Sequence, residues 1–112
     1  MKIVAMFNLK KNVNIEDYKK WSCEVDQKIT PDQPGYRRFD IYEVNGILQG
    51  PKPPYHYSRS KIPYQIVECI EVENQETLER SQNSPAMSKV MKEWLEFVDP
   101  SSVIIQRVEQ IK

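Results

Sequence analysis

The sequence predicts an α+β fold in which a four-stranded antiparallel sheet carries two helices on one face. Three observations lead there. Four short segments are rich in β-branched residues, two amphipathic helical stretches separate them, and the order along the chain is strand, helix, strand, strand, helix, strand. The length of 112 residues fits a single domain spanning 1–112.

The elements follow in order. KIVAMFNL (2–9) is an apolar, partly β-branched run that stops at Lys10-Lys11-Asn12, as a strand entering a turn does. Asn14 is a good helix N-cap, and Glu16 and Asp17 place negative charge against the positive end of the helix dipole. Ile15, Tyr18, Trp21, Val25 and Ile29 then form one apolar stripe, which Pro31, Pro34 and Gly35 terminate. From Tyr36 to Asn45 the residues alternate: Arg37, Phe39, Ile41 and Glu43 on one side, Tyr36, Arg38, Asp40, Tyr42 and Val44 on the other.

After the Asn45-Gly46 turn, residues 50–63 hold four prolines, two tyrosines and the only histidine; with no periodicity, this is expected to be an ordered loop or lid. YQIVECIEVE (64–73) reads as a third strand. Asn74 caps a short helix, and Ser84-Pro85 restarts it, because proline is tolerated at the first helical position. Met87, Val90, Met91, Trp94, Leu95 and Val98 form the second stripe, Asp99-Pro100 ends it, and VIIQRV (103–108) is the last strand. Right-handed crossovers convert this order into the ferredoxin-like βαββαβ arrangement.

Two helices cover one side of such a sheet and leave the other open. A strand facing water should alternate cleanly, yet Val4, Met6, Val67, Cys69, Ile104 and Val108 make the second face apolar as well. An uncovered patch of about 600–800 Å² is more than a soluble monomer usually exposes. A homodimer with sheets face to face is therefore expected; the alternative is that the 50–63 loop folds back over the sheet.

Composition narrows the function classes. With 16 basic and 16 acidic residues, the chain has no electrostatic footprint of a nucleic-acid binder. YQIVECIEV also lacks the basic-glycine-aromatic signature of RNA-recognition domains. No apolar run reaches membrane-spanning length, and the N-terminus lacks the features of a secretory signal, so a cytoplasmic location is expected. Cys23 and Cys69 are too far apart to form a close-spaced pair and are expected to be reduced, buried thiols. Three glycines provide no phosphate-cradling loop, and one histidine with two distant cysteines provides no zinc set. No metal or other cofactor is expected.

The residues able to carry chemistry are few. His56, between Tyr55 and Tyr57 and close to Arg59, is the one side chain whose ordinary pKa lies near neutrality. His56 and Tyr57 are the candidate acid–base pair for a small aromatic substrate; the competing reading is a surface histidine between two anchoring tyrosines. On the second strand Tyr36, Arg38, Asp40 and Tyr42 are expected to share a face turned to the barrel interior or a cleft, with Glu68 and Arg107 on neighbouring strands. A structural charge network across a dimer is the competing reading. Trp21 and Trp94 sit on the helical stripes, as core or as pocket lining. The candidate substrate-binding set is Tyr36, Arg38, Tyr42, Tyr55, Arg59 and Trp94.

The pattern resembles the dimeric α+β barrel superfamily. More closely, KIVAMFNLKKNVNIEDYKKW, YRRFDIYEV, the Pro- and Tyr-rich loop and NSPAMSKVMKEW resemble the REDY-like proteins of prodiginine pigment biosynthesis, the HapK type, over essentially the whole chain. The resemblance implies a cytoplasmic dimer acting on or binding a small pyrrole or bipyrrole intermediate, with cyclisation, dehydration or proton transfer as candidate steps. It leaves room for a non-catalytic carrier of an unstable intermediate, and for a cofactor-free monooxygenase. Some superfamily members place a histidine near the start of the second helix; this chain has Ser84-Pro85-Ala86-Met87 there.

Overall fold

The computed structural model describes residues 1–59 and 62–112. The strands β1 (Lys2–Phe7), β2 (Tyr36–Glu43), β5 (Ile66–Val72) and β6 (Ile104–Val108) form one sheet in the order β2-β5-β1-β6, and every pairing is antiparallel. This is the ferredoxin-like topology expected from the element order. The short strands β3 (Ile47–Gln49) and β4 (His56–Ser58) pair only with each other in a separate two-stranded hairpin.

The first helix starts as α1 (Ile15–Trp21), where the Asn14 side chain accepts a hydrogen bond from the Glu16 amide at 2.8 Å. It then widens into a π-helical turn (Ser22–Asp26), closed by the Gln27 amide donating to the Ser22 carbonyl, and ends through α2 (Gln27–Ile29) and a 3-10 turn (Thr30–Asp32). The second helical layer is α3 (Gln75–Gln82), capped by Asn74, and α4 (Pro85–Phe97), capped by Ser84. Ser84 Oγ accepts from the Met87 amide and donates to Gln33 Oε1, each at 3.1 Å, which ties the start of α4 to the end of the first helix.

The core lies between these helices and one face of the sheet. Phe7, Leu9, Ile66 and Val98 pack there with Tyr18 and Trp21 from α1 and Met87 and Val90 from α4. Aromatic edges lock it: Phe7 meets Trp94 at 5.1 Å between ring centroids, nearly perpendicular. The other face carries Val4, Met6, Val67 and Cys69, half-buried, with Tyr42, Ile104 and Val108 exposed. The outer face thus carries an apolar patch, as the strand sequences indicate, bordered by Lys2, Arg38, Asp40 and Glu71.

Three expectations are revised. The 50–63 segment, expected to be an ordered loop or lid, is not loop throughout: its middle forms strand β4, and Tyr55 and Tyr57 are exposed. Residues 60 and 61 of that segment lie outside the described residues. The β3–β4 hairpin is an arm paired with no other strand among the described residues, and the radius of gyration is 15.4 Å, against about 13 Å for a compact chain of this length. Tyr57 closes over Gly46, where a Cβ would come within 2.2 Å of its ring, and its hydroxyl donates to the Asn45 carbonyl at 2.7 Å. Second, the register of β2 against β5 shifts between Tyr36 and Arg38, so Tyr36 leaves the face of Arg38, Asp40 and Tyr42. Third, Cys23 is exposed and Cys69 half-buried; both are free thiols, but neither is fully buried.

Candidate functional site

A cavity of about 180 Å³ lies between the helices and the inner face of the sheet. An apolar cavity of about 150 Å³ is enough to take up benzene, so the space suits one aromatic ring with a small substituent. Phe7, Phe39, Ile70, Met87, Val90 and Trp94 are among the apolar residues of its wall. Of the residues around it, Gln82, Met91 and Ile105 are exposed and form the rim.

The register of the sheet explains why there is space. Ala5 of β1 pairs with Glu68 of β5 on one side and Ile105 of β6 on the other, so the smallest side chain stands in the middle of the row. Bulkier neighbours, Ile3 and Phe7, lie on the same face two residues away in either direction.

Two carboxyl groups enter this apolar space. Glu68 lies on the helix-facing side of β5 with Ile66 and Ile70, is 8% exposed, and makes no hydrogen bond or ion pair among the described residues. Burial, reinforced by the charge of Asp26, pushes its pKa up to about 8. Asp26 ends the π-helical turn, is 4% exposed, and accepts a hydrogen bond from Thr30 Oγ1 at 2.6 Å. Burial raises its pKa, and the Thr30 hydrogen bond opposes that rise. Tyr18 is buried close by with no hydrogen-bond partner for its hydroxyl; desolvation first, then Glu68 and Asp26, raise its pKa.

Of the residues singled out in the sequence, the structure brings Tyr36 and Trp94 to the cavity. Ser81 Oγ donates to the Leu78 carbonyl at 2.8 Å, so the Tyr36 hydroxyl is the donor in its 3.1 Å bond to Ser81 Oγ. Arg38 pairs with Asp40 on the opposite, outer face of the sheet, beside Tyr42. His56 and Tyr57 lie on β4, flanked by Tyr55 and Arg59; all four are exposed and none lines the cavity. Arg59 sits 5.9 Å from the centroid of the Tyr57 ring, and its Nε donates to the Tyr57 hydroxyl at 3.3 Å. Trp21 is core, its indole N–H donating to Glu93 Oε1 at 3.1 Å.

Asp26 and Thr30 escape a helical-periodicity reading. The signal for Glu68 is a carboxylate on the same strand face as Ile66 and Ile70, a position that costs free energy unless the group is paired or protonated. No helix among the described residues is long and apolar enough to cross a membrane.

Comparison with known proteins fixes the family. The model of the REDY-like protein HapK matches residues 1–108. The chain belongs to the HapK family. Among solved structures it is similar to HapK from Hahella chejuensis, with a TM-score of 0.69 and 16% identity, covering 100% of this chain and 96% of that one. A dimeric protein of unknown function and ferredoxin-like fold from Bacteroides fragilis superimposes with a TM-score of 0.62 and 15% identity, covering 94% of this chain and 90% of that one. An antibiotic biosynthesis monooxygenase does so with a TM-score of 0.64 and 14% identity, covering 97% and 98%. At such identities these likenesses bear on the fold alone. No curated relative matches the chain.

Proposed function

We propose that this member of the HapK family is a cofactor-independent accessory protein of prodiginine-type pigment biosynthesis in the cytoplasm. It holds a small pyrrole-type intermediate in the cavity between helices and sheet, and works as a homodimer. The observation that carries the reading is a cavity of one-ring size, walled by Phe7, Phe39 and Trp94 and given polarity by two buried carboxyl groups. A pyrrole has a flat apolar body and a single N–H donor, which matches such walls and such acceptors. A bipyrrole would place its second ring at the rim by Met91 and Ile105.

The homodimer is supported by the apolar outer face of the sheet and by β6, whose Ile104 and Val108 are 38% and 37% exposed on that face. The similar fold of a protein described as dimeric supports it further.

The test is a crystal soaked with pyrrole-2-carbaldehyde and, separately, 2,2′-bipyrrole, paired with native mass spectrometry of the same mixtures. Electron density in the cavity is expected. Ligand found only at the β3–β4 arm, or no ligand retained, would remove the cavity from the function.

A cofactor-free oxygenase is the second reading; the fold shared with a protein described as an antibiotic biosynthesis monooxygenase is compatible with it. Oxygen consumption on adding an electron-rich pyrrole would support it; uptake of the pyrrole with no oxygen consumed would dismiss it.

A further inference from the structure

We infer that Asp26 and Glu68 form an acid–base pair that moves a proton between two positions of a neutral ligand held in the cavity. This rests on the proposed uptake of a pyrrole-type molecule and goes beyond it by assigning a reaction and a charge class.

The geometry gives each carboxyl group a different surrounding. Asp26 is anchored: Thr30 Oγ1 donates to it at 2.6 Å, and Thr30 is itself 4% exposed, so the carboxylate form has a fixed donor. Glu68 is 8% exposed, faces the same cavity and makes no hydrogen bond or ion pair among the described residues. A buried carboxyl group in that condition keeps its proton. Two neighbouring acids in one low-dielectric space hold a single proton between them, with the better hydrogen-bonded member charged. The arrangement thus supplies one donor and one acceptor facing one volume.

The step balances with no co-reactant. Glu68 gives its proton to a carbonyl oxygen of the ligand while Asp26 takes one from the adjacent carbon, and the C–H electron pair becomes the new C=C bond of the enol. Glu68 is left as carboxylate and Asp26 as acid. Return of that proton to Glu68 restores the pair, and collapse of the enol at the same groups gives back the ketone.

The charge class follows from what is missing from the wall. Among the described residues, the lining contains Asp26 and Glu68 but neither lysine nor arginine. An anionic ligand would be desolvated beside a carboxylate with no counter-ion, which is strongly unfavourable. Neutral ligands are accepted, and carboxylates or phosphates are refused.

The test uses 2-acetylpyrrole, which has a ring N–H, a carbonyl and an enolisable methyl group. Binding is read from ligand-induced shifts in the protein NMR spectrum, and proton transfer from loss of the methyl ¹H signal in D₂O. Exchange should run at least roughly tenfold faster with protein than in buffer. Asp26→Asn and Glu68→Gln should each lose roughly tenfold of that acceleration, measured at saturating 2-acetylpyrrole. The wild-type rate should also fall as pH rises past 8, as Glu68 loses its proton; the titratable groups that face it are Asp26, Tyr18 and Tyr36.

Pyrrole-2-carboxylate should bind at least roughly tenfold more weakly than 2-acetylpyrrole. Binding of 2-acetylpyrrole without faster exchange, or exchange unchanged in both variants, would overturn the acid–base assignment and leave the uptake proposal standing. Failure to bind 2-acetylpyrrole at all would overturn both. The pH profile and the carboxylate comparison need only wild-type protein, so an unstable variant does not shelter the idea.

Discussion

Ala5 on β1 lies directly across from Glu68 on β5, so the smallest side chain of the helix-facing sheet layer stands beside its buried carboxyl group. The cavity exists because this position carries a methyl group where its neighbours on the same face carry isoleucine and phenylalanine. Ala5→Val should therefore fill space that is already empty. Overpacked cores usually lose about 1–3 kcal/mol; here the loss should stay below about 1 kcal/mol while ligand affinity falls roughly tenfold. Urea denaturation and a calorimetric titration with 2-acetylpyrrole check the two halves.

Stability should decline as pH rises from about 4.5 to about 8 and level off above that. Glu68 titrates near 8 in the folded chain and near 4.5 when unfolded, so the folded state binds the proton more tightly. The stabilisation is complete below 4.5 and is lost as pH rises through 8, on the order of 5 kcal/mol in all. Asp26 is shifted in the same direction. Glu68→Gln keeps the shape and removes the proton, so its melting temperature should vary less between pH 5 and 9 and exceed that of wild type at the upper end. A wild-type profile as flat as that of the variant would contradict the burial argument.

Ser84→Ala should destabilise the chain by about 1–2 kcal/mol. It removes the N-cap of α4 and, with it, the bond to Gln33 that joins the two helical layers. The midpoint of chemical denaturation should drop with the slope unchanged.

A charge on the outer face should separate the subunits. Val67→Lys lies on the side of β5 away from the helices, so the monomer fold should persist by circular dichroism. Light scattering should move from twice the chain mass to 13.3 kDa. A wild-type particle of 13.3 kDa would mean that the apolar outer face has another use.

The arm and the cavity can be told apart by mutation. His56→Ala and Tyr57→Phe should leave ligand uptake by the cavity within about twofold, since neither residue lines it. Loss of uptake in either variant would bring the β3–β4 arm into the binding site, as the isolated histidine among tyrosines implies.

The four sheet strands and the helical stripes were readable because their periods persist over five residues or more. The arm was not, because strands of three residues between prolines carry no measurable period. Tyr36 changed faces for a related reason: alternation predicts a side only while the register is unbroken, and β2 shifts one residue further on. Asp26 was missed through the helix. At ideal α-helical spacing it stands about 80° around from Tyr18, off the apolar stripe. The wider π turn at Ser22–Asp26 rotates it back toward the meridian of Tyr18. Glu68 was visible as a charge but was grouped with Arg38 and Asp40, which the sheet places on its other side.

The two tryptophans differ in what surrounds them: Trp94 borders the cavity and meets Phe7 edge-on, whereas Trp21 is sealed in the core with its N–H committed to Glu93. The molecule accordingly carries its own optical reporter and internal standard. An occupant should quench or shift the emission of one indole and spare the other, so a Trp21→Phe variant would let arrival be followed by stopped flow without any label.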